Sequence, residues 1–346
     1  MKMFKIVSFL LLILVLISGC GTTPSNENDN TKDNQNDKEV KLVVGHTGNK
    51  DNSVDIFFEK LKEEIEESSN NNIQLEIQGA GALGGDEELI ESVNIGSVDM
   101  ISAASSNMAP YTEEILALDL PYIFKSRDDA NNILKGEIGE GLLNEVSETT
   151  GNKALTFINV GGFRLLANTK KEIKTPNDSK GLKLRATGSP IEESYIKNIG
   201  ANPTPISWSE TYNSVEQKVV DGLQLQPNWL ALNGFDEIMN YATETQALMA
   251  FHVVQFNQEK WDELTEDQRS IITESIDKVR DEANEADAKD EDNFKKDLID
   301  NGVDIYTPSD SELEEWSKLG KEVREEQIDK NNIDKSLVED ILSEQN

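Results

Sequence analysis

The sequence predicts a two-lobed α/β fold with a long bridging helix, and three observations lead there. Apolar runs of strand length alternate with helical patterns of about ten residues from Lys41 to Ala103, and a second series of this kind opens near Arg164. From Thr265 to about Leu298 the chain reads as helical almost without interruption. Strand, helix, strand in that order argues for a parallel α/β lobe. At 1.5 Å per residue the late helix would span roughly 50 Å, longer than one small lobe needs, so it is expected to bridge two.

Taken in order, Lys41–Gly45 (KLVVG) reads as a buried strand, and Val54, Phe57, Phe58, Leu61 and Ile65 recur at helical spacing behind Ser53. Ile73–Gln78 is strand-like. Gly79, Gly81, Gly84 and Gly85 lack the Gly-Lys-Ser/Thr ending of a phosphate loop and read as a tight turn before a helix over Asp86–Ile95, with Gly96 as its C-cap. Asp99–Ala103 is strand-like again. The second series has short strands around Leu165 and over Leu182–Arg185, then helices over Pro190–Ile199 and Ser209–Val219, with Ser207 and Glu210 at capping-box spacing. Thr265 and Gln268 form another capping box at the start of the long helix, for which a break near Ala288–Asp292 is the alternative to an unbroken bridge. A strand-like VDIY (Val303–Tyr306) and a helical tail follow.

The N-terminus reads as an address. Lys2 and Lys5 precede an apolar run, Ile6–Ile17, broken only by Ser8. That run is shorter than the roughly 20 residues of a membrane-spanning helix, so residues 1–19 read as a signal peptide. Ile17-Ser18-Gly19-Cys20 resembles the bacterial lipobox, which implies that Cys20 becomes the first mature residue, carries a diacylglycerol and anchors the protein at the outer face of the cell membrane. Cys20 is the only cysteine, so no intramolecular disulfide competes for it. Gly21–Glu39 has no large apolar side chain and cannot build a core, so residues 20–40 read as lipidated cysteine and flexible tether.

Charge and missing motifs exclude several functions. The formal charge is −33, and removing Lys2 and Lys5 with the signal takes it to −35. No Lys/Arg cluster offers phosphates a basic face, so nucleic acid is not an expected partner. Acidic stretches such as Glu59–Glu67 and Asp281–Asp292 read as solvated helix faces, and a high-salt habitat is one explanation for them. His46 and His252 are the only histidines, which leaves no multi-histidine metal site and no ordinary triad. HExxH and GxSxG are absent as well. The chain is therefore not expected to be an enzyme, and no metal-ligating residues are singled out.

The densest information lies in Gly161–Pro227. GLKLR ends an apolar strand on Arg185, a guanidinium fork that can hold a carboxylate bidentately, and the Ala-Thr-Gly-Ser loop after it could turn backbone NH groups toward an anion. Ligands collect at the C-terminal ends of strands in α/β sheets, which suits that position. With GGFRLLANTKKEIKTPNDSKG, IGANPTPISWSETYNSVEQKVVDG and LQLQP around it, this run resembles the substrate-binding proteins of tripartite ATP-independent periplasmic (TRAP) transporters, the DctP family. The resemblance covers roughly Lys41–Gly302. It implies a periplasmic-binding-protein-like fold with crossing segments, a small organic acid as ligand, and delivery to membrane subunits driven by an ion gradient, so that no nucleotide or other cofactor is expected. Arg185 is then the residue that holds the carboxylate, Arg164 a second contact and Trp208 an aromatic wall, while Asp221 and Gly222 make a turn.

Where the family often has Val-Asp-Gly-Gln-Glu-Asn-Pro this chain has VDGLQLQPN, so the usual polar contact falls on Gln224, Gln226 or Asn228. His46, in VVGHTG, stands where some members carry a polar contact. Ala103-Ala104-Ser105 lacks the acidic residue of sialic acid binders, and Gly188 replaces their Asn, so a smaller carboxylate is expected. The expected lobes are residues 41–161 plus about 251–290, and 162–250 plus about 291–346. Two other readings stay open at this point, a binding lipoprotein of an ATP-driven importer and a sensory or structural lipoprotein.

Overall fold

The computed structural model describes residues 39–345. The signal, Cys20 and nearly all of the tether lie outside the described residues. The chain begins with β1 (Val40–Gly45), α1 (Ser53–Ser68), β2 (Ile73–Gln78), α2 (Asp86–Asn94), β3 (Met100–Ala104), α3 (Arg127–Lys135) and α4 (Glu137–Thr150). It continues through β4 (Lys153–Phe163), β5 (Leu165–Asn168), β6 (Lys183–Ala186), α5 (Pro190–Asn198), β7 (Asn202–Pro205) and α6 (Trp208–Glu216). Next come β8 (Gly222–Leu225), α7 (Pro227–Leu232), β9 (Tyr241–Thr243), β10 (Met249–Phe256) and α8 (Gln258–Glu263). Then follow α9 (Glu266–Asp300), β11 (Asp304–Tyr306), α10 (Asp310–Lys330) and α11 (Lys335–Ser343).

Two mixed sheets organise these elements, with strand orders β2-β1-β3-β10-β4 and β11-β9-β5-β8-β6-β7. The apolar spacing of α1 does what it predicts: Phe57, Phe58, Leu61 and Ile65 are fully buried in one cluster with Leu42, Val44, Ile73 and Leu75 of β1 and β2. Each such side chain contributes about 1.5–3 kcal/mol by leaving water. The expected parallel lobe holds only in part. β1 pairs in parallel with β2 and β3, but β10 runs antiparallel to β3 and β4, and β5 antiparallel to β8 and β9. The reason is that β4 leaves the first sheet for the second while β10 comes back, so neighbours carrying the chain in opposite directions must pair antiparallel.

Their pairing is irregular between Met249 and Phe251, opposite Gly161 and Gly162, whose φ values of 128° and 73° are costly for any other residue. Asn159 Oδ1 accepts the amides of both glycines, at 3.3 and 3.0 Å, and fixes this bulge. α9 is continuous through residues 288–292 and packs on α1, β4, α7 and β11. At its start Thr265 Oγ1 accepts the Gln268 amide and Gln268 Oε1 accepts that of Thr265, a complete capping box.

Some local expectations need correction. The helix counted from behind Ser53 is capped one residue earlier, by Asn52, its Oδ1 accepting the amides of Val54 and Asp55 at 3.0 Å each. Ser207 makes no capping box with Glu210, because its hydroxyl pairs with that of Ser209. Asp287 interrupts the solvated face of α9: it is buried, and Arg127 and Asn228 both donate to it.

Candidate functional site

The C-terminal ends of β1, β3, β6 and β8 converge on one cavity of about 50 Å³. Thr47, Asp86, Ala104, Ser106 and Asn107 line it from the side of the first sheet, and Arg164, Arg185, Thr187, Trp208, Gln224, Leu225 and Gln226 from the side of the second. Val160, Trp229, Ala250 and His252 close it. Five residues singled out in the sequence therefore share one cavity: Arg185, Arg164, Trp208, Gln224 and Gln226.

Arg185 stands on β6 between the buried side chains of Leu184 and Ala186. Its Nε donates to the Ile206 carbonyl at 2.9 Å, which fixes the plane of the fork. Both Nη groups lack a hydrogen-bond partner among the described residues. Burial lowers its pKa, as befits a cation short of partners, and nearby Glu192 opposes that effect. Arg164 follows β4 and donates through Nη1 to Glu192 Oε1 at 2.9 Å, while its Nε has no partner. Glu192 also accepts the amide and hydroxyl of Thr187. Burial alone would raise the Glu192 pKa, but Arg164, Arg185 and Thr187 outweigh it and hold the carboxyl below its usual range.

The orphan donors are concentrated here. Gln224 Nε2, Gln226 Nε2, Trp229 Nε1 and Arg164 Nε are all buried without a partner, and all four residues line the cavity. Buried donors without acceptors are costly, so their convergence marks a space suited to an acceptor-rich guest. The Trp208 and Trp229 rings meet edge to face with centroids 4.9 Å apart, forming an aromatic wall. His252 donates to or accepts from Ser102 Oγ through Nδ1 at 2.8 Å, and burial lowers its pKa to about 3, leaving a neutral ring.

Two expected contacts are not on the cavity wall. Asn228 is buried beside it, donating to Asp287 Oδ1 at 2.6 Å, and a Cβ at Gly161 would lie 2.4 Å from its Oδ1. It ties α7 to α9 and the bulge of β4. His46 is buried against Phe58 with ring centroids 5.2 Å apart, nearly parallel, and burial lowers its pKa to about 4. The loop after Arg185 also differs from expectation. The Thr187 amide donates to Glu192, that of Gly188 to Asn107 and that of Ser189 to Thr187 Oγ1, so these NH groups are already engaged.

Sequence reasoning missed Asp86, Asn107, Glu192 and Trp229. Asp86 opens α2 directly after the glycine turn, and its oxygens accept from Thr47 Oγ1 at 3.3 Å and Asn107 Nδ2 at 2.9 Å. Burial pushes its pKa up to about 6 against the Ala104 amide, Arg185, Thr47 and Asn107. Its one sequence signal was an acidic residue at the first position of a helix, a pattern too common to single it out. Among the described residues no group of three His, Cys, Asp or Glu side chains is placed to hold a metal ion, and no helix is long and apolar enough to cross a membrane.

Comparison with known proteins identifies the fold and the family. The 2,3-diketo-L-gulonate-binding periplasmic protein YiaO of Escherichia coli is 26% identical over 284 residues, covering 82% of this chain and 86% of its own length. A TRAP periplasmic solute-binding protein of Chromohalobacter salexigens, solved with bound D-glucuronate, superposes with a TM-score of 0.82 at 26% identity, over 88% of this chain and 100% of that one. Another, from Sulfurospirillum deleyianum with bound succinate, superposes at 0.84 with 22% identity over 89% and 100%. The family described as bacterial extracellular solute-binding protein, family 7 (DctP) matches residues 44–331. A two-sheet α/β body whose strand ends surround a buried arginine cavity thus has its place: the chain belongs to the DctP family of bacterial extracellular solute-binding proteins and is a TRAP-type substrate-binding protein.

Proposed function

We propose that this protein captures a small organic acid in the cavity and hands it to the membrane subunits of an ion-gradient-driven TRAP transporter. The observation that carries the reading is the free guanidinium face of Arg185 among the unpartnered donors of Arg164, Gln224, Gln226 and Trp229. An anion with several acceptors satisfies all of them at once. Arg185 takes the carboxylate, Arg164 holds a second oxygen while Glu192 fixes its orientation, and Trp208 covers the ligand. Residues 41–161 plus about 251–290 form one lobe and 162–250 plus about 291–346 the other, closing on the ligand about the bulge at Gly161 and Gly162.

The chain acts as a receptor and not as a catalyst. Cys20 carries the lipid that keeps it at the outer face of the membrane, with the tether giving it reach. Charge-assisted hydrogen bonds contribute roughly 1.5–3 kcal/mol each, so losing a bidentate pair costs about 100-fold or more in affinity. A thermal-shift screen of the protein from Asp37 onward against mono- and dicarboxylates, keto acids and sugar acids is expected to find one stabilising class. Calorimetry with the acid so found should show Arg185→Ala at least about 100-fold weaker. Affinity retained within a few-fold would remove Arg185 from the site.

A further inference from the structure

The second charged wall of the cavity decides which acid fits. The charged residues on the lining are Arg164, Arg185 and Asp86. Arg164 is already paired with Glu192. One ligand carboxylate therefore compensates Arg185, and a second would enter a cavity whose remaining charge is the carboxylate of Asp86. In a site removed from water, two carboxylates in proximity repel strongly. Asp86 is 4% exposed and cannot turn away into solvent. Thr47, Asn107 and the Ala104 amide take three of the roughly four acceptor positions of a carboxylate, so Asp86 keeps capacity for one donor from the ligand. Asn107 holds that side chain in place from one side and accepts the Gly188 amide of the Arg185 loop from the other, at 3.4 Å. The acid-accepting and donor-accepting ends of the cavity are thereby fixed relative to each other.

We infer that Asp86 makes this receptor selective for hydroxylated monocarboxylates of the sugar-acid type, whose hydroxyl donates to Asp86 while the carboxylate occupies Arg185, over unsubstituted dicarboxylates of similar length. The inference rests on the carboxylate-receptor reading above. Gln224 and Gln226 fit it, since their free amide NH groups find acceptors in the oxygens of further hydroxyls.

Titration calorimetry of the mature protein near neutral pH, with D-erythronate and with succinate, tests it directly. D-Erythronate has one carboxylate and a hydroxyl on every other carbon, whereas succinate has two carboxylates and no hydroxyl. The expected result is binding of erythronate at least about 10-fold tighter than succinate, and a shift of that ratio toward succinate by at least about 10-fold in Asp86→Asn. Asn keeps an acceptor for the Asn107 amide, and the wild-type comparison stands even where the variant does not fold. Succinate binding more tightly than erythronate in the wild type overturns the inference, as does a folded Asp86→Asn that changes both affinities equally. With either result, binding that is still lost in Arg185→Ala leaves the receptor reading intact. No binding of any acid in the wider screen removes both.

Discussion

Arg127 on α3 and Asp287 in the middle of α9 meet through Nη1 and Oδ2 at 2.7 Å, and the second Nη of Arg127 reaches Glu291 at 2.6 Å. A Cβ at Gly162 would lie 2.6 Å from the same guanidinium, so the bulge of β4, the bridging helix and α3 share one contact point. Asn228 completes it from α7. Removing one partner of a largely buried pair leaves the other charge uncompensated, a loss of about 3–5 kcal/mol. Arg127→Ala is therefore expected to destabilise the protein by about 3 kcal/mol in urea unfolding. A change below about 1 kcal/mol would show that water, or Lys295, which pairs with Glu291 at 3.0 Å, takes over from Arg127.

Gln226 offers a test in which stability and binding move in opposite directions. Its buried Nε2 has no partner, and a buried unsatisfied donor costs about 1–3 kcal/mol. Gln226→Leu removes that donor with little change of volume. The ligand-free protein is expected to gain about 1 kcal/mol while affinity for the acid falls about 10-fold. Thermal unfolding without ligand and calorimetry with it give the two numbers, and a loss in both would mark Gln226 as a structural residue only.

Asp119 should make stability depend on pH. Burial raises its pKa from 3.8 to about 6, against the Ser189 hydrogen bond and the nearby Arg164 charge, and its Oδ2 has no partner. The folded state thus binds this proton more tightly than the unfolded chain does. The penalty of ionising it is absent below about pH 3.8, grows through the window to about 6, and is complete above that. Asp119→Asn is expected to gain stability over wild type as pH rises through this window, by an amount on the order of 3 kcal/mol between its ends. His46 and His252 work in the opposite sense in an overlapping range. Burial lowers their folded pKa values from 6.5 to about 4 and about 3, so below about pH 6.5 the unfolded chain takes up their protons first and stability falls until pH reaches those folded values. Comparing variant with wild type at each pH by thermal unfolding cancels that histidine contribution; a difference independent of pH would refute the assignment.

The periodic parts of the fold were legible because burial imposes a period. α1 shows its buried face as Val54, Phe57, Phe58, Leu61 and Ile65, and Thr265 with Gln268 announces the start of α9. β10 could not be read this way. All eight residues of MAFHVVQF are buried, so no alternation marks it as a strand, and nothing local reveals that it runs beside β4. The site was legible only as far as the resemblance reached. It supplied Arg164, Trp208 and the glutamines and singled out Arg185, which its strand end had already marked, but the cavity wall holds Gln224 and Gln226 while Asn228 turns to Asp287. Asp86 joins Arg185 only when two sheets meet, and pairing of that kind leaves no trace in local spacing.

The bulge at Gly161 and Gly162 has a mechanical consequence. Two hydrogen-bonded strands and an unbroken helix carry the chain between the sheets, and links set side by side resist twisting far more than bending. The closure proposed about this bulge would therefore run along one soft coordinate, an angle, and a filled receptor would differ from an empty one in that angle, which a rigid docking surface could read without ever touching the acid inside.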